Sequence, residues 1–161
     1  MKTTILLSTL LAVSLAGPGA AAEKPNFTGD WKMVPSKSDY GAMDAPSSAT
    51  RKIDHQEPNI HMVATQKGAR GELTMEMKYA TDGKEYVNST RLGEARSVLK
   101  WDGDTLVVTT KRTVMGREIL VVDRWSLSAD GKTMTVNGKI TGGMGENEYR
   151  VTFEKDQAPP R

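Results

Sequence analysis

Cysteine is absent from the 161 residues. That removes thiol nucleophiles, thiolate metal sites and disulfide staples together. Histidine is nearly absent too, with two residues, His55 and His61, in one short stretch. No Gly-x-Ser-x-Gly segment occurs either. Nucleophilic catalysis needs a nucleophile, a base and an orienting group, and the sequence offers no such set. No excess of one charge exists: 22 Lys and Arg stand against 20 Asp and Glu, interspersed along the chain. A nucleic-acid binder concentrates its cations on one surface, so nucleic acid is not an expected partner. Long apolar runs are missing after Ala22, where charge interrupts each one within a few residues. A helical span needs about 20 apolar residues, so no membrane span is expected.

What is present begins with a leader. Lys2, an apolar stretch from Ile5 to Ala16, Gly17-Pro18 and the small residues Ala20, Ala21 and Ala22 follow the order of a secretory signal peptide. Residues 1–22 are therefore expected to be removed, leaving residues 23–161 as one secreted or periplasmic domain with its core at about 26–155. That length buries a core without disulfides.

From Asn26 onward the apolar period is two. Phe27, Gly29, Trp31 and Met33 share one face, and Leu73, Met75, Met77 and Tyr79 another. Met134, Val136, Gly138 and Ile140 alternate with polar residues, as do Tyr149, Val151 and Phe153. This is the pattern of half-buried antiparallel strands. Asp82-Gly83, Asp102-Gly103 and Asp130-Gly131 suit tight hairpin turns. Other corners fall at Glu57-Pro58-Asn59, Gly68 to Gly71, Leu92-Gly93, Met115-Gly116 and Gly142 to Gly145. The spacing predicts about ten strands, near 27–34, 50–56, 60–67, 72–80, 85–91, 95–101, 104–114, 117–127, 132–141 and 146–155. Short strands joined by tight turns make an all-β, antiparallel up-and-down barrel, whose closure removes exposed edges. A sandwich would need long crossovers, and none is visible. Residues 38–49 carry no strand pattern and have room for one short helical turn. The tail from Asp156 reads as a frayed end.

The opening NFTGDWKMVPSKSDYGAM, residues 26–43, is similar to the start of the intracellular fatty-acid-binding proteins. The ten strands and the closing Phe153-Glu154-Lys155 are similar as well. Gly-x-Trp is shared with the wider calycins, including the exported lipocalins, and the combination most resembles bacterial secreted lipocalin-like proteins. The resemblance implies that Trp31 lies across the closed end of the barrel as an apolar plug, with Gly29 leaving it room. Two features depart from the fatty-acid-binding proteins. Residues 38–49 are too short for their two-helix lid, and the inward Arg-x-Tyr of their last strand is replaced by Val151 and Phe153. Arg150 is one step off and faces outward.

A ten-stranded barrel encloses more than its side chains need to fill. Met33, Ile60, Met62, Met75, Met77 and Tyr79 are expected to line a cavity from the first half of the chain. Val108, Val121, Trp125, Val136, Val151 and Phe153 are expected to line it from the second. Methionines repack around varied shapes. The expected partner is a small hydrophobic or amphipathic molecule, held without chemistry and without a cofactor. Strand 117–127 offers a polar anchor in either of two registers. One turns Asp123 inward with Val121 and Trp125, the other turns Arg124 inward. Three rivals stand beside the container: a copper site, if His55 and His61 face each other across a three-residue turn with Met62, Met75 and Met77 nearby; a barrel enzyme with an unobvious site; and an exported interaction domain with no ligand.

Overall fold

The computed structural model describes residues 23–143 and 145–156. The proposed leader and most of the proline-bearing tail lie outside them. Ten strands run in order: β1 (Gly29–Met33), β2 (Ser48–Gln56), β3 (Asn59–Gly68), β4 (Gly71–Ala80), β5 (Glu85–Thr90), β6 (Gly93–Asp102), β7 (Thr105–Val114), β8 (Arg117–Leu127), β9 (Thr133–Gly142) and β10 (Gly145–Lys155). Each pairs antiparallel with its neighbour in sequence, except at one seam between β4 and β5. β1 lies between β2 and β10, with Trp31 opposite Arg51 on one side and Lys155 on the other. The first and last strands thus meet, and the sheet curls into a nearly closed barrel. Among the described residues no helix is long and apolar enough to cross a membrane.

Between β1 and β2 a single 3₁₀ turn, Pro35–Lys37, replaces any lid. The segment stays on the barrel wall: Asp39 pairs with Arg150 beside β10, and Ser47 extends the β2–β3 ladder through Lys67. The strands at either side begin and end within a few residues of the sequence-predicted limits, because alternation and Asp-Gly turns mark both.

The β2–β3 turn differs from expectation. It holds two residues, Glu57 and Pro58, so His55 opposes Ile60 while His61 opposes Asp54. A one-residue change in loop length reverses which side chains meet. His55 points into the core at 3 % exposure, and His61 points out to Glu76 at 2.8 Å. The facing histidine pair that a copper site requires is not formed. Among the described residues no three potential metal-ligating side chains cluster.

Large side chains fill the middle of the barrel beneath the 57–58, 103–104 and 128–132 turns. Trp31, Phe27, Trp125, Leu99, Leu106 and Met134 are buried there almost completely. The Trp31 Nε1–H donates to the Phe27 carbonyl at 2.9 Å. Phe27 meets Trp125 edge-on at 5.7 Å and stacks near Trp101 at 6.1 Å, favourable arrangements for aromatic quadrupoles. Gly29 makes room for a different neighbour from the one expected. A Cβ there would lie 2.4 Å from Lys155 Cε, and the Lys155 ammonium sits 5.2 Å from the Trp31 ring centroid. Glu57 ties this end together. It accepts hydrogen bonds from Trp101 Nε1 at 3.1 Å, from the Thr81 hydroxyl and from His55 Nε2 at 2.7 Å. The other His55 nitrogen accepts the Phe27 N–H at 3.2 Å, so Nε2 carries the ring proton.

The seam has its own fastening. Asn88 of β5 reaches across to β4, where its Oδ1 accepts the Lys78 N–H at 2.8 Å and its Nδ2 donates to the Lys78 carbonyl at 3.1 Å. One side-chain amide reproduces the donor and acceptor of a missing ladder rung.

Candidate functional site

Toward the opposite end, the mouth, the interior opens into a cavity of about 350 Å³. That volume falls within the usual range for small-molecule sites, roughly 300–1,000 Å³. Its wall is mostly apolar, with Met43, Ala64, Met75, Val121, Ile140 and Val151 among the lining residues. The inward positions of β2, β7, β8 and β10 supply Arg51, Arg112, Asp123 and Tyr149, and Tyr40, Thr50, Thr65 and Gln66 are further polar residues of the wall.

The register settles the open question on β8. Asp123 opposes Val108 and Gly138 and faces the interior, whereas Arg124 is exposed and pairs with Asp102 at 2.5 Å. The Tyr149 hydroxyl donates to Asp123 Oδ1 at 2.5 Å. Gly138 lets that ring lie flat on β9: a Cβ at Gly138 would sit 2.1 Å from the Tyr149 ring. Tyr40, from the β1–β2 connection, stacks on Tyr149 at 6.5 Å and donates its hydroxyl to Met33 Sδ at 3.2 Å.

The cations are less well served. The Arg51 guanidinium lies 4.9 Å from the Trp125 centroid and 4.8 Å from that of Phe153, a cation–π arrangement on two faces. Yet Arg51 Nη1 and Arg112 Nε are buried with no hydrogen-bond partner, as is Trp125 Nε1. Burial raises the Asp123 pKa above the ordinary carboxylate value, opposed first by the Arg51 charge, then by the Tyr149 hydrogen bond, the nearby Trp125 N–H and the Arg112 charge. Burial also pushes the Tyr149 phenol far up, with the adjacent Asp123 adding to it. The interior therefore holds two guanidinium groups against one reluctant carboxylate.

Of the expected lining residues, the barrel brings Met75, Val121, Asp123, Val151 and Phe153 to this cavity. Met33, Met62, Met77, Val108, Trp125 and Val136 point inward as expected but are buried in the packed core. Two tryptophans and their aromatic neighbours fill that part of the interior. Ile60 and Tyr79, also buried, border a second hollow of about 400 Å³ beside the seam, which Lys78, Tyr86, Asp54 and Gln56 make polar. Sequence reasoning did not reach Arg51 or Arg112. The signal was there: Arg51 shares its parity with Ala49, Ile53 and His55, and Arg112 with Leu106, Val108 and Thr110.

No protein-family model matches the sequence, and no curated protein matches it. Solved structures do match the barrel. A crystal structure of a single-residue mutant of the fluorescent protein UnaG is similar at 18 % identity and a TM-score of 0.55, covering 82 % of this chain and 97 % of that one. Zebrafish ileal bile acid-binding protein, complexed with cholic acid, is similar at 14 % identity and a TM-score of 0.54, covering 81 % and 98 %. A secretory abundant heat soluble protein from Ramazzottius varieornatus is similar at 12 % identity and a TM-score of 0.56, covering 84 % and 98 %. At these identities the likeness is one of fold: the chain has the ten-stranded calycin-like barrel.

Proposed function

We propose that the protein is a non-catalytic carrier of a small amphipathic molecule, apolar over most of its surface and bearing one acidic headgroup, and that it acts outside the cytoplasm. The observation that carries this reading is the pair of buried guanidinium nitrogens, Arg51 Nη1 and Arg112 Nε, left without partners in an apolar cavity. A buried cation without an anion or hydrogen-bond acceptor is costly, and a ligand carboxylate, sulfonate or phosphate relieves it. An apolar portion burying ~300 Å² adds on the order of 7 kcal/mol before ordering costs, enough for micromolar affinity. The zebrafish barrel complexed with cholic acid supports the class, since cholic acid joins a bulky apolar body to one acid. Export rests on the leader of residues 1–22.

The headgroup is read by residues other than those of the fatty-acid-binding proteins, because the last strand carries Val151 and Phe153 at their clamp positions. Native mass spectrometry of protein from its own host is expected to show a co-purifying acidic lipid. In solution, a fluorescent hydrophobic acid is expected to bind saturably and to be displaced by long-chain acids but not by their methyl esters. Equal displacement by esters would remove the headgroup claim. Failure of all probes across chain lengths and headgroups would leave an exported interaction domain as the reading.

A further inference from the structure

Trp125 stands apart from the other two tryptophans of the chain. Trp31 Nε1 donates to the Phe27 carbonyl at 2.9 Å, and Trp101 Nε1 donates to Glu57 at 3.1 Å. Trp125 is 1 % exposed, yet its Nε1 has no partner. A buried indole N–H ordinarily finds an acceptor, because leaving it dry costs the full desolvation of the group. Trp125 lies two residues from Asp123 on the same inward face of β8, and its N–H is close to that carboxylate without completing a hydrogen bond. Asp123 Oδ1 already accepts the Tyr149 hydroxyl. The Arg51 guanidinium rests 4.9 Å from the centroid of the same indole. Arg51 Nη1, Arg112 Nε and Trp125 Nε1 are thus three unpartnered donors around one carboxylate.

Their directions and charge narrow what completes them. β7 and β8 are adjacent, but β2 is separated from β8 by three strands and approaches from across the barrel. A carboxylate offers two oxygens in one plane, which suits a single guanidinium fork. A tetrahedral head offers three oxygens spread around an axis. Two guanidinium groups also bring two positive charges, and burial of Asp123 weakens the carboxylate that opposes them. A phosphate monoester carries about −1.5 to −2 charge at pH 7 and three strong acceptor oxygens. Sulfonates and carboxylates carry a single charge.

We propose that the ligand's headgroup is a phosphate monoester of an apolar alcohol, its terminal oxygens accepting from Arg51 Nη1, Arg112 Nε and Trp125 Nε1. The apolar portion lies against Met75, Val121, Ile140 and Val151 on the cavity wall. The assignment rests on the carrier reading and names its headgroup. Trp125 serves as a binding residue through its N–H as well as a core residue through its ring.

The test compares decyl phosphate, decyl sulfonate, decanoate and decanol, which share a chain and differ in the head. Each is titrated calorimetrically into the mature protein, stripped of co-purified ligand, at a pH well above the phosphate's second pKa of about 6. Decyl phosphate is expected to bind about tenfold more tightly than decanoate, with the sulfonate between them. In NMR spectra of isotope-labelled protein, saturation with decyl phosphate is expected to move the Trp125 indole N–H resonance downfield. The Trp31 and Trp101 indoles, already bonded, are expected to hold their positions. Trp125→Phe is expected to weaken decyl phosphate about tenfold and to leave decanol affinity unchanged. The parent's indole shift reads the same contact if that variant does not fold. Decanoate or decyl sulfonate binding as tightly as decyl phosphate, or an unmoved Trp125 resonance at saturation, would overturn the phosphate assignment and leave a carrier of acids. Silence from all four compounds, decanol included, would strike the carrier reading and the headgroup with it.

Discussion

Arg51 shows how a residue can serve binding at the expense of packing. Its guanidinium rests on Trp125 and Phe153, but Nη1 has no partner. Exchanging a poorly paired buried charge for an apolar group of similar shape is often neutral or stabilising. Arg51→Met is therefore expected to keep or raise the melting temperature while weakening an acidic probe by roughly tenfold to a hundredfold, as for loss of one charged hydrogen bond. A matched alcohol is expected to bind the variant no worse than the parent. Asp123 acts in the other direction, as an internal competitor for the two arginines. Its raised pKa means the folded chain holds its proton more tightly than the unfolded chain does. Stability from this group is present below the ordinary carboxylate range and declines as pH rises through the raised value. Affinity for an alkyl sulfonate, which stays ionised throughout, is expected to fall about tenfold over the same rise. Asp123→Asn is expected to flatten that profile, and a sulfonate titration across the acid range checks it.

At the scale of elements, the sequence made most of the barrel legible because alternation and turn chemistry are local. Met134, Val136 and Gly138 declare an inward face without reference to any partner strand. The site was less legible because facing on β2 and β8 depends on register. His55 could be placed only once the β2–β3 turn was known to hold two residues, and Asp123 only once β8 was paired with Val108 and Gly138. The Asn88 clasp was beyond the reach of periodicity, since it joins two strands that make no ladder. It is also where the sheet is weakest. Asn88→Ala removes both hydrogen bonds to Lys78 and is expected to lower stability by about 1–3 kcal/mol. Amide exchange at Lys78 is expected to quicken at least tenfold while β7 and β8 amides change only by the global loss, a contrast that residue-resolved hydrogen exchange measures.

Across the whole molecule, labour divides along the barrel axis. The expectation that inward methionines and valines would all border a cavity assumed a uniformly hollow tube. The tube is filled from one end because Trp31, Trp125, Phe27 and Phe153 together occupy the width that ten strands open. Stability and binding should then separate by position. Leu99 and Leu106 are completely buried in the packed half, so truncation of either to alanine leaves a cavity the neighbours cannot close. A loss of about 2–5 kcal/mol is expected for each, with the dissociation constant of a hydrophobic acid unchanged for the molecules that remain folded. Met75 and Ile140 border space that already exists. Their alanine variants remove ligand contacts more than core, so a smaller stability loss is expected together with several-fold weaker binding. Urea unfolding paired with probe displacement on the four variants reads both quantities. If Leu99→Ala weakened binding as much as Met75→Ala, the two halves would be one cooperative pocket, and the packed end would have to open for the ligand.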